Sequence, residues 1–167
     1  MFPAPAKSLD INSIDLSKSI ESVYGADAGK AFLELWRKHI GFFVDYTQGA
    51  AAKDQAKKDK AKADLDGYRK DFDAFLSGAN PNLPKGAVAE LLIPHVTGLF
   101  AVIDAQAAKD PMVAEKIKLV ASHSQKIADP LSGAIAKQFP DKFPAGATKA
   151  ADFRTALNLL LDEHVQI

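Results

Sequence analysis

Four side chains concentrate the chemistry available to this chain: His39, His95, His123 and His164. Each has apolar residues four and three positions before it: Leu35 and Trp36, Leu91 and Leu92, Leu119 and Val120, Leu160 and Leu161. On a helix those positions share the face of the histidine, so all four imidazoles are expected to point at least partly inward. An inward layer of imidazoles could hold Zn or Cu, as bundle cores do elsewhere. The plainer reading is favoured: semi-buried histidines, each satisfied by a neighbouring helix, by Tyr46 or Tyr68, or by water. The spacing contains no His-x-x-x-His and no Glu-x-x-His of the di-iron type. Glu34 and Glu90 precede their histidines by five residues, which turns them off the histidine face.

No other constellation competes. There is no Ser/His/Asp arrangement, no glycine-rich phosphate loop and no inward pair of carboxylates, so no catalytic or cofactor-binding residue is assigned and no enzyme activity is expected. The absence of cysteine removes thiolate metal sites and cysteine nucleophiles. Lys+Arg and Asp+Glu both count 21, and a zero balance argues against nucleic acid as partner, because that affinity rests on accumulated positive charge. The richest apolar window, Leu91 to Ile103, contains Pro94 and His95 and closes at Asp104, so no membrane span is expected. The start, "MFPAPAKS", has neither the charged region nor the apolar core of a signal peptide.

The elements that must position the histidines are helical, since periodicity near 3.6 dominates and no alternating strand pattern appears. Residues 1–9 read as an extended or disordered tail. Asp10 is placed to cap a short helix ending at Gly25, and Asp27 to cap the next, which runs to about Ala51 with Phe32, Leu35, Trp36, His39, Phe43 and Tyr46 on one face. A third helix follows Asp54; its Lys-rich first half reads as a solvated face, its second half buries Leu65, Tyr68, Phe72, Phe75 and Leu76. "SGANPNLPKG" is a loop, a fourth helix covers about Lys85 to Ala107, and a fifth starts at Asp110–Pro111 with a kink expected at Pro130. A last helix, within 149–167, is expected to dock on the bundle of residues 10–148.

The chain also repeats itself. Aligned without gaps, Ala31–Asp54 and Ala87–Asp110 share eight of twenty-four residues, including Glu34/Glu90, Leu35/Leu91, His39/His95 and the terminal "AAKD" of each. Ala156, Leu160, His164 and Val165 offer a third, partial copy. The unit is a helical hairpin, and short connections make hairpins antiparallel neighbours, so the expected fold is an all-α, up-down-up-down bundle of hairpin repeats cut from a longer tandem protein. Hairpin geometry also sets heights. His95 lies fifteen residues before Asp110 and His123 thirteen after it, which brings the two within a turn of one level. By equivalence His39 and His164 belong to that level too, with Gly67 at the matching place on the third helix.

"AGKAFLELWRKHIGFFVDYT", "FLSGANPNLP" and "AIAKQFPDKF" resemble segments of an uncharacterised helical-hairpin repeat domain of exported bacterial proteins. Some of those proteins also carry a module similar to the N-terminal domain of copper amine oxidases. The resemblance covers nearly the whole chain from Ile11 and implies an extracytoplasmic or secreted, repeat-built module. It does not imply amine oxidation. The expected function is therefore a non-catalytic binding or structural module at or outside the bacterial cell surface, with a protein or cell-envelope component as partner and no resident cofactor. A Zn- or Cu-binding bundle is the alternative.

Overall fold

In the computed structural model, which describes residues 3–143 and residue 155, the protein is an all-α bundle of packed helices. Five helices follow in order among the described residues: α1 (Pro3–Tyr24), α2 (Ala26–Ala52), α3 (Gln55–Ala79), α4 (Ala87–Ala108) and α5 (Val113–Gln138). They divide into two compact units, residues 1–79 and 80–167. The expected C-terminal helix of 149–167 lies outside the described residues, apart from helical Thr155.

In the first unit α1 is neither short nor preceded by a long tail. It begins at Pro3 instead of Asp10, because prolines in a first turn give up N–H groups that have no intrahelical acceptor there. Its buried face also differs from the expected apolar stripe. Ile11 is exposed, whereas Ser13 and Ser17 are buried. Their hydroxyls donate to the carbonyls of Leu9 (2.8 Å) and Ile14 (2.7 Å) of the same helix, so burial leaves those hydroxyls satisfied. Small residues let α1 and α2 approach closely. A Cβ on Gly29 would lie 2.8 Å from Glu21 Cβ and 3.0 Å from the Ser17 carbonyl oxygen. Further along the antiparallel pair, Arg37 grips Asp10 through two bonds of 2.8 and 3.0 Å.

The α2–α3 hairpin turns at Lys53, which adopts the left-handed conformation (φ 56°, ψ 32°). Its N–H donates to the Ala50 carbonyl at 3.2 Å, and the Asp54 N–H to that of Gly49 at 2.8 Å, the paired bonds of a Schellman ending. Asp54 then starts α3 by accepting the Lys57 N–H at 3.0 Å. The core between the helices holds Phe32, Tyr46, Leu65, Tyr68, Phe72 and Leu76. The Lys-rich run is largely solvated, although Lys58 and Lys62 extend over the buried Tyr46 ring, at 5.1 and 5.8 Å.

In the second unit Asn80 opens the loop, its buried Oδ1 accepting the Asn82 N–H at 2.9 Å, and Leu83 packs inward from it. The Pro84–Ala87 turn and Gly86, at φ +87°, delay α4 to Ala87. The helix runs through Pro94 and buries Val88, Ala89, Leu92, Val96 and Ala105. By length and composition α4 is apolar enough to cross a membrane, yet it carries Glu90, Pro94, His95 and Asp104 and packs on α5. The α4–α5 turn places Lys109 in the left-handed region (φ 56°, ψ 38°). Its bonds match those at Lys53: Lys109 N–H to Gln106 O at 3.1 Å and Asp110 N–H to Ala105 O at 2.9 Å. Pro111 lies in a turn before α5, and the helix continues through Pro130.

Candidate functional site

The two hairpins close through the same kind of turn, at Lys53 and at Lys109. In α4–α5 the helices come close at Gly98, where an added Cβ would sit 2.6 Å from Val120 Cγ2. His95 and His123 stand one turn of helix further from the hairpin end. Shifting by the 56 residues that separate the "AAKD" turns maps Gly98 and Val120 onto Phe42 and Asp64, and His95 and His123 onto His39 and Gly67. In the first unit Phe42, Asp64, Gly67 and Tyr68 line one cleft between α2 and α3.

His39 belongs to an aromatic layer. Its ring lies edge-on to Trp36 (4.4 Å between centroids), stacks on Tyr68 (4.9 Å) and meets Phe43 edge-on (6.0 Å). Phe32 and Phe72 extend the layer through Trp36 and Tyr68. The periodicity of α2 dictates this: residues 32, 36, 39 and 43 recur on one face, and Tyr68 and Phe72 do the same on α3. Tyr68 is 5% exposed, and burial pushes its phenol well above the usual tyrosine range.

His95 and His123 form the second feature. Both are half-buried, and Nδ1 of each is buried without a hydrogen bond at that atom. Nδ1 of His39 is likewise buried and unbonded, although His39 is engaged through its ring. Burial lowers the proton affinity of His95, and the neighbouring charge of His123 lowers it further. Both effects favour a neutral imidazole with a lone pair, the form that ligates metals. Among the described residues no group of three or more His, Cys, Asp or Glu side chains is gathered to hold a metal ion. The structure thus places His95 and His123 on the packed helices α4 and α5 of one unit and His39 among aromatic rings in the other; His164 lies outside the described residues.

The cleft between α2 and α3 was missed from the sequence. It has a volume of about 400 Å³, with Leu35 and Phe42 as apolar walls, Ala63 and Gly67 as its open side on α3, and Tyr68 between them. Lys38, Asp64 and Asp71 bring charge to it. Asp64 holds Lys60 at 2.6 Å, whereas Lys38 and Asp71 make no ion pair among the described residues. Gly67, an exposed position without a side chain, is part of its lining, and periodicity registers only side chains that are present. Comparisons with protein-family models, with curated proteins and with solved structures gave no match.

Proposed function

We infer that the protein is a non-catalytic helical binding module built from two copies of one hairpin, acting at or outside the bacterial cell surface on a protein or cell-envelope partner. The observation that carries the duplication is the pair of turns. Lys53 and Lys109 both take a left-handed conformation that a residue with a Cβ adopts at a cost of roughly 1 kcal/mol, and the same two backbone bonds close each turn. Two unrelated hairpins have no reason to share a lysine there, where glycine is the common solution. Binding is supported by large apolar side chains left on the surface, Val44, Ile117 and Leu119 among them, and by the cleft. The extracytoplasmic setting follows from the resemblance to repeat domains of exported proteins.

Cosedimentation with isolated bacterial envelopes tests this reading. Retention that disappears after protease treatment of the envelopes supports a protein partner. Retention that survives supports a wall or lipid component, and no retention on either refutes surface binding.

A second reading, Zn or Cu binding, is favoured by the half-buried imidazoles of His95 and His123 on packed helices, each with an unbonded Nδ1 atom. Metal analysis of untagged protein and thermal melts with each ion decide it. A bound ion raises stability by linkage, and an absence of both metal and shift removes the reading.

A further inference from the structure

We propose that α1 is an exchangeable latch: it swings out about Gly25 and docks on α2 of a second copy of this chain, in the place that the second copy's own α1 occupies when closed. Two chains that exchange in this way form a twofold dimer. The proposal is independent of the binding-module reading above.

The hinge is the first observation. Helix α1 ends at Tyr24 and α2 begins at Ala26, so one residue makes the whole connection. Gly25 holds it at φ 91° and ψ 170°, a conformation open to glycine and nearly closed to any residue with a Cβ. The bonds on either side already have helical spacing: the Gly25 N–H donates to the Glu21 carbonyl at 2.8 Å, and the Gly29 N–H to that of Gly25 at 3.1 Å. Turning Gly25 alone to helical angles would align the N–H groups of Ala26, Asp27 and Ala28 with the carbonyls of Ser22, Val23 and Tyr24, fusing the two helices into one. Short hinge loops invite exchange of an element between copies.

The second observation is how little α1 adds to the core. Among the described residues no apolar side chain of α1 is buried. Ile14, Leu16, Ile20 and Val23 are half-buried, Leu9 and Ile11 are exposed, and the buried side chains are those of Ser13 and Ser17. The core of this unit lies between α2 and α3, at Phe32, Tyr46, Leu65, Tyr68 and Phe72, so it persists when α1 leaves. The strip of α2 vacated from Gly29 to Arg37 is shaped to another α1, since it already takes the Ser17 backbone at close range and the Asp10 carboxylate.

Symmetry is the third. Asp10 pairs with Arg37, and Gly29 comes close to Ser17 and Glu21; each of these pairs is centred on residues 23 to 25, at the hinge itself. A one-residue link leaves no offset. Two straightened chains running antiparallel about that point would set each α1 on the other's α2 with all of these contacts kept, and would close as a dimer.

Light scattering on the full chain reads the oligomer, and a cross-link reads the exchange. The chain has no cysteine, so Asp10→Cys with Arg37→Cys and a short thiol-to-thiol reagent join α1 to α2 alone. The link forms within one chain if the latch is closed and between chains if it has exchanged. The exposed ion pair removed by these substitutions contributes little. At Gly25 an added Cβ meets nothing within 4 Å, so the backbone angle alone resists alanine. Gly25→Ala should tighten dimerisation by about a hundredfold or more, with cross-links between chains. Gly41→Ala, equally unobstructed but at an ordinary φ in α2, should behave as the unsubstituted chain. A folded Gly25→Ala protein that stays monomeric, or whose dimers cross-link only within chains, would overturn the proposal. Should Gly25→Ala fail to fold, the unsubstituted chain refolded from urea at about 1 mM decides: dimers cross-linked between chains uphold the exchange, and their absence overturns it.

Discussion

Replacing Gly98 by alanine probes the register of the second hairpin most sharply. The new Cβ would lie 2.6 Å from Val120 Cγ2, about 1 Å inside the optimal carbon–carbon separation of ~3.5–4.0 Å. Val120 is 6% exposed, and its β-branched side chain is stiff in a helix, so the strain passes to the helix spacing. Overpacking of this kind costs about 1–3 kcal/mol. Alanine returns about 1 kcal/mol of helix propensity, leaving a net loss near ~1 kcal/mol. Val120→Ala alone removes two buried methyl-sized groups and should cost about 2 kcal/mol. In the double variant the Gly98→Ala methyl enters space vacated by Val120, so the combined loss should fall below the sum of the singles by about 1–2 kcal/mol. Urea unfolding followed by circular dichroism measures all four corners of the cycle. Gly133→Ala on α5, where an added Cβ meets nothing within 4 Å, serves as control and should stabilise by up to ~1 kcal/mol. Additivity within about 0.5 kcal/mol, or stabilisation by Gly98→Ala matching the control, would refute the packing.

Other expected outcomes follow from the same geometry. Gly29→Ala drives a Cβ against the Ser17 carbonyl and the Glu21 backbone, which cannot rotate away, so it should lower stability by about 1–3 kcal/mol and raise hydrogen exchange along α1. Lys53→Gly and Lys109→Gly should each stabilise by about 1 kcal/mol in urea melts; an effect at one turn alone would break their equivalence. Because the folded-state pKa of His95 lies below its ordinary value of 6.5, its contribution to stability is complete above that pH. It is lost as pH falls from there toward the lowered value, with a slope of at most about 1.4 kcal/mol per pH unit for one proton. His95→Gln should flatten that part of the pH profile, and an unchanged slope would contradict the burial argument.

The parts of this structure legible in the sequence are those written by large side chains. Phe32, Tyr46, Leu65, Tyr68 and Phe72 recur at helical spacing and are buried where periodicity placed them. The α2–α3 and α4–α5 turns follow from "AAKD", although the left-handed lysines do not, since nothing in the residue type announces them. The α1 interface was illegible because it is made by close approach. Ser13, Ser17 and Gly29 carry no hydrophobic signal, and Ile11 offered a misleading one. Leu119 was expected to share the inward face of His123 but is 59% exposed; the i−4 position lies at the edge of a helical face and falls inside or outside with a small rotation. Of the site, the placement of His95 and His123 on adjoining helices followed from the helix assignment. The cleft did not, because an open groove lined by Lys38, Ala63, Gly67 and Asp71 leaves no apolar stripe to read.

The helix packing within the two hairpins is the claim on which the cleft and the placement of the histidines rest. A nuclear Overhauser spectrum with methyl-labelled valine tests it directly. The account predicts a cross-peak from the Val120 methyl to the Gly98 Hα and another between the Tyr68 and His39 rings. Cross-peaks from Val120 to Pro94 or Val102 instead of Gly98 would contradict it, since they would mean that α5 has slipped by a full turn against α4.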